Sequence, residues 1–276
     1  MLKRVQIALA VALVTLAGVI AWQGLRLRER EPLYQGKRLS VWLEIAYKAK
    51  WSRTHWPDNE RPEQALMQAM QAIRHIGTNA LPVLIDMLHA QDSRLKEVMM
   101  TWAQKQKLVH FHFKSADQRR WEAVWGYEAL GPLARAQVPS LSDTLTHDPS
   151  AEVRRAAACA LGYIGPKARL AAPALFRATK DMDAGVRTCA VEALGRILPD
   201  PQRTIPVLVA GLDDLCLNVE EAAAIGLGEY GPEARAAVPA LVAMLATNNA
   251  AELDYAVLRT ALKKIDPAAA AKAGVK

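Results

Sequence analysis

The residues of this chain that could bind a metal or move a proton are few and badly spaced for either task. His110-Phe111-His112 is the one close histidine pair, and on a strand both rings would share a face as metal ligands do. No third ligand follows at useful spacing, the nearest acid being Asp117, so these read as surface or cap histidines. His55, His75, His89 and His147 are isolated, which leaves a histidine-based acid–base pair without support. Cys159, Cys189 and Cys216 are too few and too scattered for a disulfide framework or a tetrahedral metal site. A glycine-rich phosphate loop, a Gly-x-Ser-x-Gly elbow and a Cys-x-x-Cys pair are all missing from the sequence. The chain is therefore expected to be no enzyme and to need neither metal nor cofactor.

Charge offers a second kind of chemistry, since 35 Lys+Arg stand against 28 Asp+Glu. The excess is local: residues 1–120 hold 19 basic and 10 acidic side chains, and residues 121–276 hold 16 and 18. A duplex-binding surface needs a basic stripe along its length, because phosphate neutralisation supplies most of the affinity. The C-terminal half does not offer that excess, and nucleic acid becomes the weaker reading. The basic stretch from Arg94 to Arg120, with Lys96, Lys105, Lys107, Lys114 and Arg119, keeps an alternative open: contact with anionic lipid or nucleic acid. Its bland counterpart is a solvated helix face.

Such residues need elements to hold them, and those elements announce themselves by repetition. The segments VRRAAACALGYIGPKARLAAPAL, VRTCAVEALGRILPDPQRTIPVL and VEEAAAIGLGEYGPEARAAVPAL begin at Val153, Val186 and Val219, a period of 33 residues. Pro139, Pro173, Pro206 and Pro239 follow it, and Gly162, Gly195 and Gly228 keep phase. In each unit a first helix carries one apolar stripe, as in Val153, Ala157, Ala160, Leu161 and Ile164. In the first of these it ends at Gly165-Pro166, and a second helix starts near Pro173. Ala69, Ala123, Ala157, Ala190 and Ala223 share one place in five first helices, where alanine would let neighbouring first helices approach closely. Cys159 and Cys189 fall in successive units about one helical turn apart in phase. That offset disfavours a bridge, and each cysteine is expected to fill a small core position. The fold expected is all-α, a right-handed α-α superhelix preceded by an N-terminal hydrophobic helix.

That hydrophobic helix is read from residues 5–22, almost free of polarity and flanked by Lys3, Arg4, Arg26, Arg28 and Arg30. An uncleaved transmembrane signal-anchor over residues 1–24 is favoured over a signal peptide cleaved near Val19-Ile20-Ala21. The basic residues after the span point to a cytoplasmic body, and the short basic N-tail points to export. Export to the periplasmic side is taken as the expectation. Residues 25–60 then form a linker and N-terminal helical cap, in which Ser40 is placed to cap a helix. Residues 61–115 form a divergent first unit with an insertion from Gln91 to Phe113, and residues 116–276 hold the regular units and a C-terminal cap. All seven tryptophans lie in the first 125 residues, where bulky side chains would seal the open end of a stack.

The repeats resemble HEAT repeats, specifically the short bacterial kind related to the phycobilisome-lyase type, with an Asp-x-x-x-x-Val-Arg start. Asp148 with Val153-Arg154 and Asp181 with Val186-Arg187 carry that start in full. Asp214 and Val219 keep it with Glu220 in place of the arginine, and Asn248 stands in for the last aspartate. The resemblance implies that Asp148, Arg154, Asp181 and Arg187 tie neighbouring turns together, a structural role. It also implies a solenoid that binds a protein or peptide on its row of second helices, where Arg177 and Lys180 are the exposed candidates. A bilin-lyase-like enzyme would share only the repeat type. The stretch Gln35-Gly36-Lys37-Arg38-Leu39-Ser40-Val41-Trp42-Leu43 is similar to the start of membrane-linked bacterial HEAT proteins.

Overall fold

The computed structural model describes residues 31–51, 61–92, 114–246 and 255–275. The apolar segment 5–22 and the His110/His112 pair lie outside them. Among the described residues no helix is long and apolar enough to cross a membrane.

The described chain opens with a hairpin in which β1 (Leu33–Tyr34) pairs antiparallel with β2 (Lys37–Arg38). Gln35 and Gly36 turn the corner with φ of 49° and 72°, the left-handed pair that a two-residue hairpin requires. Helix α1 (Leu39–Trp51) follows directly. Ser40 does not cap it. The Glu31 carboxylate accepts the Ser40 backbone N–H at 3.2 Å, because the hairpin folds Glu31 back over the helix start.

Helical hairpins then succeed one another: α2 (Pro62–Ile76) with α3 (Leu81–Leu88), α4 (Ala116–Leu130) with α5 (Val138–His147), α6 (Ala151–Ile164) with α7 (Ala172–Ala178), α8 (Ala184–Ile197) with α9 (Pro201–Gly211), α10 (Leu217–Tyr230) with α11 (Val238–Ala246). Helices α12 (Tyr255–Ile265) and α13 (Pro267–Lys272) follow them. First helix packs on first helix and second on the next first, so the core lies between units and no hairpin owns one. Leu141, Leu161, Leu175, Leu194, Leu208, Leu227 and Leu241 are all fully buried in it.

Within most hairpins a 3-10 segment joins the helices, as at Gly131–Gln137, Gly165–Ala171 and Gly231–Ala237. Its glycine takes positive φ (50°, 70° and 55°), a conformation that a side chain strains. The α8 unit departs from this pattern. Leu198 occupies the left-handed region at φ 49°, and Asp200 caps a longer α9 with no 3-10 segment.

Neighbouring first helices do not stack in register. A Cβ placed on Gly195 would lie 2.7 Å from the Gly226 Cα, and one on Gly162 would lie 3.1 Å from the Ala193 Cα. Gly162 and Gly195 stand nine residues after their opening valines, but Ala193 and Gly226 stand seven after theirs, so each helix is shifted by two residues. The alanine column is fully buried at all five positions. At Ala223 the near neighbour is the second helix of the unit before, since a Cβ on Gly211 would lie 3.1 Å from the Ala223 Cβ. Closest approach of first helices thus belongs to the glycines, which corrects the expectation that the alanines set it.

Candidate functional site

The aspartates and arginines singled out from sequence meet at the turns between units. Arg154 reaches into the next turn and grips Asp181 with two parallel bonds, Nε to Oδ2 and a terminal nitrogen to Oδ1, each 2.9 Å. Its other terminal nitrogen donates to the carbonyls of Asp148 and Pro149 at 3.0 and 3.1 Å. One unit on, Arg187 repeats the pattern on Asp214 at 2.8 and 2.9 Å and on the Asp181 carbonyl at 2.9 Å. Asp148, Asp181 and Asp214 each also accept the backbone N–H two residues ahead. They brace the turns rather than cap the helices; Ser150 and Asp183 provide the caps of α6 and α8. Glu220 occupies the next arginine position, and the pattern stops there.

Bidentate guanidinium–carboxylate pairs of this kind are strong and directional. The Arg154 guanidinium holds the Asp181 carboxyl below the usual aspartate range, and Arg187 does the same for Asp214. A carboxyl whose pKa falls on folding adds stability that is present above its unfolded pKa and is lost as the pH falls through its folded one. The melting temperature is therefore expected to stay level from neutral pH to about pH 5 and to drop below about pH 4. An Asp181→Asn/Asp214→Asn variant should lower the plateau and flatten the drop, which thermal melts across pH would record.

Glu122 carries the opposite sign. It is fully buried on α4, and burial raises its pKa against the pull of Lys114 and Gln118. Lys114 contacts Glu122 at 3.0 Å and Glu44 of α1 at 2.9 Å, and the Gln118 amide donates to Glu122 at 2.9 Å. The group thus clamps the start of α4 to α1, and its acids and amide are occupied with one another.

The tryptophans of the first half contribute packing. Trp42 is buried and its indole N–H donates to the Tyr34 carbonyl at 3.2 Å. Trp121 and Trp125 lie on α4 with ring centroids 5.9 Å apart, and Tyr163 of α6 lies 6.0 Å from Trp125. Lys50, Arg155 and Arg196 sit over these rings. Trp22, Trp56 and Trp102 lie outside the described residues.

Arg177 and Lys180 are both exposed, but only Arg177 lies on a second helix; Lys180 falls in the turn after α7, because that helix ends at Ala178, which corrects its expected place. Arg177 donates to the Thr146 hydroxyl at 3.3 Å, across to the preceding second helix. Two neighbours missing from the sequence reading complete the patch: Phe176 is half-buried, and the Arg203 guanidinium of α9 lies 5.5 Å from its ring centroid. Phe176 is one of three phenylalanines in the chain and the one inside the repeats, which is the signal that sequence offered. Arg203 stands where the neighbouring units have Leu170 and Ala236, so no recurring arginine marks the position. Among the described residues, no three His, Cys, Asp or Glu side chains gather as a metal site.

The cysteines overturn an expectation. Cys159 of α6 and Cys189 of α8 are joined by a disulfide, with Cα atoms 5.2 Å apart. The two-residue shift between first helices brings together positions that differ in phase by about a turn. Cys216 remains a free thiol, half-buried at the start of α10.

Stacked two-helix units of about this length, braced through their turns, frame the comparison with known proteins. Residues 138–215 match the family model described as HEAT repeats. The matched span runs from α5 through α9 and contains the whole Arg154–Asp181 step, the Arg187–Asp214 pair and the Arg177 patch. A comparison with proteins of curated function gives no match. Among solved structures, an engineered protein from a structural genomics consortium covers 83% of this chain and 97% of its own, at 19% identity and a TM-score of 0.48. Residues 138–215 are thus similar to HEAT repeats, and they sit within a longer array of stacked helical hairpins.

Proposed function

We propose that this protein is a non-catalytic scaffold, tethered to a membrane by residues 5–22, whose row of second helices binds a protein or peptide partner. HEAT repeats generally serve as interaction surfaces. The observation that carries the reading is a division of labour among charged residues. Arg154, Arg187, Asp181 and Asp214 are engaged in bracing the turns, whereas Arg177 projects from α7 and Lys180 from the turn just after it, with no ion-pair partner among the described residues. Phe176 under Arg203 adds an aromatic surface beside them, and aromatic and arginine side chains are enriched where interfaces concentrate their energy.

Export of the body is supported by the Cys159–Cys189 bridge, since disulfides persist in oxidising compartments and are rare in the cytosol. The alternative reading, contact through the basic stretch 94–120, loses weight because its last cations are occupied. Lys114 is held by Glu44 and Glu122, Arg119 reaches Asp92, and Arg120 donates to the Ala90 carbonyl at 2.7 Å.

An Arg177→Glu/Lys180→Glu variant of the full chain should lose its partner at least tenfold while its melting temperature stays within a degree or two, because both side chains are exposed. Photo-crosslinking from position 177 in solubilised membranes, with position 196 as the control on a first helix, would read this. Equal capture from both positions, or capture unaffected by the charge reversal, would move the partner site elsewhere.

A further inference from the structure

The two edges of the solenoid are chemically unlike. One edge is made by the turns between units and carries Asp148, Asp181, Asp183, Asp213 and Asp214. The other is made by the linkers inside units. Neighbouring linkers touch: Gly77–Ala80 lies beside Gly131–Gln137, which lies beside Gly165–Ala171. These three linkers contain no acidic residue and present Arg135, Lys167 and Arg169, all exposed. The same linkers carry Leu133 and Leu170, 50% and 87% exposed. Further along the same edge acids enter, with Asp200 and Glu233 exposed and Asp266 paired to Arg235 at 3.3 Å. Arg169 stands at the boundary, lining a hollow with Asp200, Glu229 and Glu233, so the purely basic part is the stretch of Arg135 and Lys167 toward the N-terminal end.

The chain also enters the fold at that edge. Tyr34 of the hairpin stacks on His75 at a centroid distance of 5.0 Å, in the last turn of α2 and just before the Gly77 linker. Leu33 beside it is 65% exposed. Between Trp22, at the end of the apolar segment, and Glu31 stand eight residues, three of them arginines. Fully extended, they reach about 28 Å at most. If the apolar segment is in a bilayer, the linker edge is the part of the fold held nearest to it.

We propose that this edge, through Leu33, Leu133 and Leu170 with Arg135, Lys167 and Arg169, rests on an anionic lipid surface. The proposal rests on the tethered reading for its orientation and on charge and exposure for its chemistry. Leucines enter the interface while long cationic side chains keep their heads among lipid phosphates, and each cation near an anionic surface strengthens the contact severalfold. The opposite edge also exposes apolar side chains, Met182 at 99% and Leu215 at 102%, but there Arg154 and Arg187 are taken up by Asp181 and Asp214, and Lys180 is outnumbered by Asp148, Asp183 and Asp213. Resting on one edge leaves the Arg177 patch, on the row of second helices, open to a partner.

The test uses the full chain with its Cys159–Cys189 bridge intact and Cys216→Ser, carrying an environment-sensitive dye at Leu170→Cys or at Met182→Cys. It is placed in nanodiscs of phosphatidylcholine with or without phosphatidylglycerol, doped with a chain-brominated quencher lipid. Dye at position 170 should shift blue and be quenched when phosphatidylglycerol is present, and dye at 182 should not. Arg135→Glu/Lys167→Glu/Arg169→Glu should weaken the contact about tenfold or more, while Lys105→Glu/Lys107→Glu leaves it unchanged. Equal quenching at the two positions, indifference to phosphatidylglycerol, or dependence on Lys105 and Lys107 would overturn the proposal. So would duplex DNA binding that is lost in the triple variant while lipid is ignored. Alkaline carbonate extraction reads the tether separately. If the chain washes off, the soluble labelled protein mixed with phosphatidylglycerol vesicles decides the matter: quenching specific to position 170 keeps the edge and discards the tether, and its absence discards the edge.

Discussion

Replacing Gly195 by valine is expected to destabilise the protein by about 3 kcal/mol, the upper part of the range for overpacking a closed core. The reason is the 2.7 Å separation between a Cβ at this position and the Gly226 Cα. That neighbour is backbone, which cannot swing aside, so α8 and α10 must move apart. Alanine at Gly195 meets the same obstacle, offset by a gain of about 1 kcal/mol in helix propensity, and should cost less. Alanine at Gly226 should be milder again, since its Cβ first meets a Leu208 methyl at 3.2 Å, the end of a flexible side chain. Damage at Gly195 should also spread. In a solenoid the units hold one another only through nearest-neighbour interfaces, so loosening one interface should split the melting transition into two steps. A single sharp melt of Gly195→Val at the wild-type temperature would mean that the two helices do not cross at these glycines.

The same glycines show how far the sequence could be read. The 33-residue period, the Gly-Pro stops and the apolar stripes place the hairpins, because each depends on local backbone chemistry repeated in phase. The tie between Asp181 and Arg154 is what the resemblance to HEAT repeats implies, since both residues stand in the start that carries it. The shift between helices is another matter. Periodicity reports what recurs at equal spacing, and two helices offset by two residues recur at the same spacing as two in register. Only contact between backbones reveals that Gly195 faces Gly226, two positions earlier in its own unit. The error about Cys159 and Cys189 has this one cause: in-register stacking separates them, and the observed stacking joins them. The same limit hides the Arg203–Phe176 contact, where the α8 unit lacks its 3-10 linker and starts α9 early. The hairpin before α1 escaped for a different reason: two strands of two residues each are too short for an alternating pattern to show.

Removing the Cys159–Cys189 bridge is expected to cost about 3.5 kcal/mol, the loop-closure value for the 30-residue separation it spans. It joins α6 to α8 directly, the interface next to the one that Gly195 closes, so the bridge and the glycine contact lock two successive steps of the stack. A Cys159→Ser/Cys189→Ser variant should melt well below the oxidised protein, and reduction of the wild type should bring it to nearly the same temperature. Alkylation of the native, unreduced protein should label Cys216 alone, since the other two sulfurs are engaged and their residues are only 7% and 8% exposed. The comparison that matters for function is between compartments. Protein recovered after export should show one reactive thiol on full denaturation, whereas protein retained in the cytosol by deleting residues 1–30 should show three, because the cytosolic thiol pool keeps such pairs reduced. Three thiols in the full-length protein isolated from membranes would place the repeats on the reducing side. That result would remove the main support for an exported scaffold while leaving the solenoid and its Arg177 surface as they stand.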